Sequence, residues 1–172
     1  AIVAAWFYTG GKNPYGYAGL GELAVFVFFG LVATMGTAYI QIGALDANSH
    51  FGGVAMGLFA AAVLMINNIR DIDQDVLAGK RTLAVKVGKR WAKGIFFAML
   101  WLPFAILVPF PFLYPATFFA WLAVLLVLPA TLITATAKTP RELILVLKLT
   151  SFAALVYGAF FGYGLAVVNF AL

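Results

Sequence analysis

Apolar stretches about as long as the roughly 20 residues a helix needs to cross hydrocarbon recur along this chain, and that repetition limits its fold more than any other feature. They predict helical spans over residues 20–40, 51–69, 94–113, 116–137 and 149–170. Barrel strands would instead be alternating segments of about 9–11 residues. With 65% hydrophobic and only 10% charged residues, and a mean hydropathy of +1.03, the chain reads as an integral membrane protein. The expected fold is all-α, a polytopic transmembrane helical bundle. Residues 1–8 are apolar from the start, with no initiator Met and no basic flank, so they read as the end of an earlier span rather than a signal peptide. The chain is then expected to be part of a longer protein. Cysteine is absent, which excludes disulfides, thiolate metal sites and cysteine nucleophiles. Pro103 and Pro129 fall inside spans, where each removes a helical hydrogen bond.

Charge sets the expected orientation. Of eleven Lys and Arg residues, Arg70, Lys80, Arg81, Lys86, Lys89, Arg90 and Lys93 lie in one stretch. Lysine and arginine are enriched in cytoplasmic loops, so that stretch is read as a cytoplasmic loop. Counting spans outward, the segments at Lys12 and at Lys138 and Arg141 also fall inside, while 41–50 and 110–115 fall outside. The membrane is read as the cell's inner (plasma) membrane, and the reading includes lipid contact and no nucleic acid.

The run Asn67-Asn68-Ile69-Arg70-Asp71-Ile72-Asp73-Gln74-Asp75 places three of the six acids where an apolar helix leaves the membrane. Charge is costly near hydrocarbon, so such a cluster is a functional-site candidate. On a continuous helix Asn67, Asp71 and Asp75 share one face, with Asn68 beside them and Asp73 pointing elsewhere. Two unpaired carboxylates one turn apart repel unless a cation bridges them. They invite a divalent metal such as Mg²⁺, which takes one or two protein carboxylates and completes its shell with water and phosphate oxygens. Asparagine one turn earlier offers a neutral oxygen or a partner for a metal-bound water. Arg70, Lys80 and Arg81 suit diphosphate oxygens, and Gly79 allows a sharp turn. A calcium loop is excluded, because Val76 stands where glycine is needed and Thr82 where a bidentate glutamate is needed. The glycine-rich stretch at 10–21 lacks the order of a dinucleotide site. For Lys86, Lys89, Arg90 and Lys93 a solvated loop suffices. Tyr15 and Tyr17 are read either as a cover over the cavity, touching acceptor or diphosphate, or as interfacial anchors. His50, at the other membrane face, has no expected catalytic part, and Glu22 and Gln41 read as interfacial. Trp101, Trp121 and the phenylalanines suit an apolar tunnel and cation-stabilising faces, although most should face lipid or neighbouring helices.

The segment Asn67-Asn68-Ile69-Arg70-Asp71-x-x-x-Asp75, followed by Ala78-Gly79-Lys80-Arg81-Thr82-Leu83-Ala84, resembles the second aspartate-rich motif of the UbiA superfamily of intramembrane prenyltransferases. The stretch from Tyr8 through Tyr15-Gly16-Tyr17 to Glu22, then Phe28-Phe29-Gly30, resembles its 1,4-dihydroxy-2-naphthoate polyprenyltransferase branch, of menaquinone synthesis. The resemblance implies a bundle of nine transmembrane helices in which two facing aspartate motifs hold Mg²⁺ and grip the diphosphate of a polyprenyl donor. By position, Asp71 and Asp75 would be metal ligands and catalytic. Lys80 and Arg81 would be catalytic members of the diphosphate cap, Arg70 would join them, and Asn67 and Asn68 would bind substrate. The first aspartate motif is missing here. Residues 1–172 would therefore be the C-terminal part of a single transmembrane prenyltransferase domain, about five full spans plus the end of another, needing the N-terminal helices to complete its site. The implied reaction transfers a polyprenyl group from polyprenyl diphosphate to 1,4-dihydroxy-2-naphthoate, giving demethylmenaquinone. Other aromatic acceptors (4-hydroxybenzoate, homogentisate, a chlorophyll precursor or haem) and a non-catalytic cation-binding transporter remain the alternatives.

Overall fold

The computed structural model describes residues 6–8, 10–11 and 14–169. Residues 1–5 of the expected earlier span, Lys12, and Phe170 at the expected end of the last span lie outside the described residues. A short 3₁₀ turn over Tyr15–Ala18 leads into α1 (Gly21–Ile42), α2 (Ala47–Arg70), the short α3 (Ile72–Leu77), α4 (Leu83–Leu107), one turn α5 (Phe110–Leu113), α6 (Pro115–Thr136) and α7 (Glu142–Asn169). The five long helices, α4 counted on through α5, are apolar enough to cross a membrane, and the fold is an all-α polytopic membrane bundle.

α2 is the central helix: 56% of its most apolar stretch is buried, against 6% for that of α1. It starts where Asp46 accepts a hydrogen bond from Ser49 N at 2.9 Å, satisfying one of the otherwise orphan N–H groups of a helix start. That bond holds the Asp46 carboxyl below its ordinary range. α1, α4 and α7 all pack on α2. Against α1 the approach is backbone to backbone: a Cβ on Gly30 would overlap Gly57 Cα and stand 2.7 Å from Gly53 O. Glycine is required there by contact rather than by conformation. Wide π-helical turns over Phe26–Met35 lie along this seam.

On its other side α2 inserts Phe59 into an aromatic core. The Phe59 and Tyr157 rings lie 5.2 Å apart, Phe104 and Tyr157 5.6 Å, and Phe104 and Trp121 5.6 Å. The Tyr157 hydroxyl, fully buried, donates to Pro103 O at 2.8 Å. Trp101 donates to Thr131 Oγ1 at 3.1 Å and its ring packs on Phe104. The two tryptophans therefore serve helix packing here.

Two expected span starts need correcting. The third helix begins at Leu83, not residue 94, so Lys86, Lys89, Arg90 and Lys93 sit on α4 rather than in a loop. Its first turns are offset from the rest by a break at Gly88 (φ 78°, ψ 159°). The last helix begins at Glu142, not residue 149. Glu142 Oε1 accepts from Thr139 N at 2.9 Å and from Thr139 Oγ1 at 2.6 Å, one half of a capping box. Alternate connections meet at opposite ends of the bundle: Asn48 Nδ2 donates to Tyr114 Oη at 2.9 Å at one end, and Arg81 N to Tyr17 O at 2.9 Å at the other.

Candidate functional site

The aspartate run does not continue as one helix. α2 stops at Arg70, and Asp71 leaves helical geometry (φ −97°, ψ 8°) before α3 resumes. Hydrogen bonds from Asp71 N to Asn67 O (3.1 Å) and from Asp75 N to Asp71 O (2.8 Å) nevertheless span the break. The i, i+4 relation survives, so Asn67, Asp71 and Asp75 face one cavity while Asp73 is exposed.

α3 then ends in a Schellman turn. Gly79, at φ +70°, donates to Val76 O (3.1 Å) and Lys80 N donates to Asp75 O (2.9 Å). The left-handed glycine folds Lys80 back over the helix it has just left. Lys80 Nζ lies 3.1 Å from Asp75 Oδ1 and 5.0 Å from the Tyr17 ring centroid, which is cation–π distance. The Asp75 hydrogen bond, then its charge, pulls the Lys80 pKa above its ordinary value. Arg70 Nε and Nη2 grip Asp71 Oδ1 and Oδ2 at 2.7 and 2.6 Å. The expectation of two unpaired, mutually repelling carboxylates is thereby corrected: each has its own cation.

The cavity holds about 250 Å³. It is lined by Asn67, Asn68, Asp71 and Asp75 from the end of α2 and from α3, by Lys80 and Thr82 from the segment after α3, and by Tyr8, Gly16 and Tyr17 from the N-terminal part. Leu64 and Asn67 are shared with an apolar groove of about 400 Å³ between α1, α2 and α7, lined also by Val25, Phe29, Ala60, Val63 and Leu147. Among the described residues no three His, Asp or Glu side chains converge as a metal cage. Two carboxylates one turn apart beside two carboxamides are still a suitable donor set for Mg²⁺, which binds few protein groups and keeps positions for water and phosphate.

Not every expected residue reaches the cavity. Arg81 is exposed and contributes its backbone, donating to Tyr17 O, because the turn that folds Lys80 inward leaves its neighbour outside. Arg70 is committed to Asp71, and Tyr15 stands edge-on to Tyr8 at 5.4 Å rather than in the wall. Glu22 was expected at an interface. It is 3% exposed, and its Oε1 accepts from Asn68 Nδ2 at 2.8 Å across 46 residues of sequence. A carboxylate only accepts, so it fixes which way the Asn68 amide points. No local pattern marks that pairing. Glu22 acts behind the lining, through Asn68, whereas Thr82, 5% exposed, lines the cavity itself, a placement that no sequence pattern marks.

Five helices long enough to span a membrane, with a polar cavity at the end of α2 and an apolar groove beside it, define an integral membrane protein with a two-part candidate site. Residues 1–143 match the UbiA prenyltransferase family, and the chain belongs to that family. It is 41% identical over 173 residues to the 1,4-dihydroxy-2-naphthoate octaprenyltransferase of Haemophilus influenzae, covering 97% of this chain and 55% of that protein. It is 41% identical over 160 residues to the protein of the same description in Mycobacterium tuberculosis, covering 91% of this chain and 53% of the relative. UbiA prenyltransferase domain-containing protein 1 of Gallus gallus is 31% identical over 105 residues, 61% of this chain and 31% of that protein. The chain thus spans about half the length of the first two relatives.

Proposed function

We propose that this chain forms part of a membrane-embedded enzyme that transfers a polyprenyl group from polyprenyl diphosphate to 1,4-dihydroxy-2-naphthoate in the presence of Mg²⁺, giving the quinol form of demethylmenaquinone and releasing diphosphate and CO₂. The observation that carries the reading is the shared wall at Leu64 and Asn67. A charged cavity and an apolar groove meet there, as a ligand with a diphosphate head and an isoprenoid tail requires.

In this reading Asp71 and Asp75 would hold the metal, with the Asn67 and Asn68 carboxamides beside them. Mg²⁺, when bound, would neutralise the charge that builds on the departing diphosphate. Lys80 adds a fixed positive charge on the same side, favouring the state in which that charge has developed. The groove walls Val25, Phe29 and Val63 keep water from the allylic cation left on the prenyl chain. The aromatic ring attacks that cation, and its carboxylate leaves as CO₂, the electron pair of the broken C–C bond staying with the ring so that the quinol is the product. The half of the relatives' length outside this chain would complete the site, and the aspartate end would face the cytoplasm.

The relatives' names support naphthoate as the acceptor. The test is prenyl transfer in membranes carrying the full-length protein, offering 1,4-dihydroxy-2-naphthoate or 4-hydroxybenzoate with one polyprenyl diphosphate, with and without Mg²⁺. Metal-dependent product from the naphthoate is expected. Product from 4-hydroxybenzoate alone would overturn the acceptor, and no product from either would overturn the enzyme.

A further inference from the structure

Thr82 carries a hydroxyl that the fold does not use. Thr37, Thr117, Thr131, Thr134 and Thr136 return theirs to a backbone carbonyl three or four residues earlier, and Thr139 bonds to Glu142. Thr82 is 5% exposed, yet its Oγ1 has no hydrogen-bond partner among the described residues. A threonine just before a helix ordinarily turns its oxygen onto an N–H of the first turn. Here the residue stands at that position of α4 and makes no such bond.

Leaving a buried hydroxyl unpaired is unfavourable, so an unpaired one on a cavity wall marks a place where a ligand supplies the partner. Thr150 is buried and unpartnered too, but it lies within α7 and away from this cavity. Thr82 lines the cavity together with Lys80, two residues earlier, and with Asp71 and Asp75. Both carboxylates already accept from cations, Asp71 from Arg70 and Asp75 from Lys80. Thr82 Oγ1 bonds to neither of them, so its hydroxyl is free to donate to an incoming oxyanion. Lysine attracts such a group as a point charge with no preferred direction, and a neutral O–H adds the direction.

We propose that Thr82 Oγ1 donates a hydrogen bond to a phosphoryl oxygen of the prenyl donor, beside Lys80 Nζ, and so orients the diphosphate in the cavity. The inference rests on the prenyl-transfer reading above and assigns a donor-binding residue to it.

The experiment compares Thr82→Val, Thr82→Ala and Thr82→Ser in the full-length protein. The unfolding temperature in detergent is measured alone and with Mg²⁺ plus inorganic diphosphate, and KM is measured for donor and acceptor. Valine keeps the shape and deletes the hydroxyl. Alanine gives a second hydroxyl-free variant that adds no bulk, and serine restores the donor. Expected for both hydroxyl-free variants is an unchanged or higher unfolding temperature without ligand. Most of the stabilisation by diphosphate should be lost, and donor KM should rise roughly tenfold, as for one hydrogen bond to a charged group. Acceptor KM stays put, and serine restores the parent values. A lower unfolding temperature with full stabilisation by diphosphate would make Thr82 structural and overturn the proposal, as would a rise confined to acceptor KM. Asp71→Ala separates the two levels. If it keeps both stabilisation and turnover, the cavity reading itself fails. If it loses both while Thr82→Val keeps both, only the assignment of Thr82 falls.

Discussion

Replacing Gly30 by alanine adds one methyl group at the place where α1 and α2 lie closest. The new Cβ would overlap Gly57 Cα and meet Gly53 O at 2.7 Å and Gly57 N at 2.7 Å, all of them backbone atoms. Ordinary contact begins near 3.4 Å, so the helices must separate by the better part of an ångström or more. No flexible side chain is available to absorb the shift. Overpacking of this kind costs about 1–3 kcal/mol. Gly36, on the same helix, has nothing within 4 Å of its would-be Cβ. Alanine there should be neutral or stabilising, by up to about 1 kcal/mol, since it reduces the backbone freedom lost on folding. The two substitutions have the same chemistry and opposite expected signs. Thermal unfolding in one detergent checks them, and turnover of the full-length protein follows the consequence for the site. Glu22 rides on α1 two turns before Gly30, so a displaced α1 draws it away from Asn68. Gly30→Ala should therefore lose activity as well as stability, and Gly36→Ala should keep both. Equal stability of the two variants would refute the close-packed seam.

Tyr157→Phe should destabilise by about 1–3 kcal/mol, because it leaves the buried Pro103 carbonyl without the hydroxyl it accepts from; an unchanged unfolding temperature would argue against that bond. Lys80→Ala should raise donor KM well above the effect of Arg81→Ala, since only Lys80 lines the cavity, and a selective rise in acceptor KM would contradict its placement beside the diphosphate. The pH limbs of stability follow from two shifts of opposite sign. Lys80, raised by Asp75, contributes stability that is full below the ordinary lysine value and lost as pH climbs through its raised folded value. Asp46, lowered by Ser49, contributes above the ordinary aspartate value and loses that contribution as pH falls through its lowered folded value. Asp46→Asn should flatten the acid limb of an unfolding-temperature profile and leave the alkaline limb alone.

The membrane architecture was legible because apolar runs near 20 residues have few other uses. The shared face of Asn67, Asp71 and Asp75 was legible too, although the helix breaks at Asp71, because two backbone hydrogen bonds carry the four-residue spacing across the break. Gly79 announced the turn but not its result: that Lys80 folds inward and Arg81 outward depends on the Schellman geometry. Charge density concealed the start of α4, since Lys86 to Lys93 read as a loop by the same rule that placed the loop's side of the membrane. The start of α7 was written in Thr139-Pro140-Arg141-Glu142, a capping signal with proline at the first turn that the hydropathy of the following residues overshadowed. Glu22 with Asn68 was beyond reach, because nothing near either residue in the chain records a partner 46 positions away.

The central claim is that Asp71 and Asp75 form the working face of the site and that Asp73 does not. The direct measurement is Mg²⁺-dependent prenyl transfer by the full-length protein carrying Asp71→Ala, Asp75→Ala or Asp73→Ala, each at matched membrane abundance. The first two should nearly abolish turnover, while the third, exposed and off the cavity wall, should keep most of it. Equal loss at all three, or full activity without Asp71, would contradict the account.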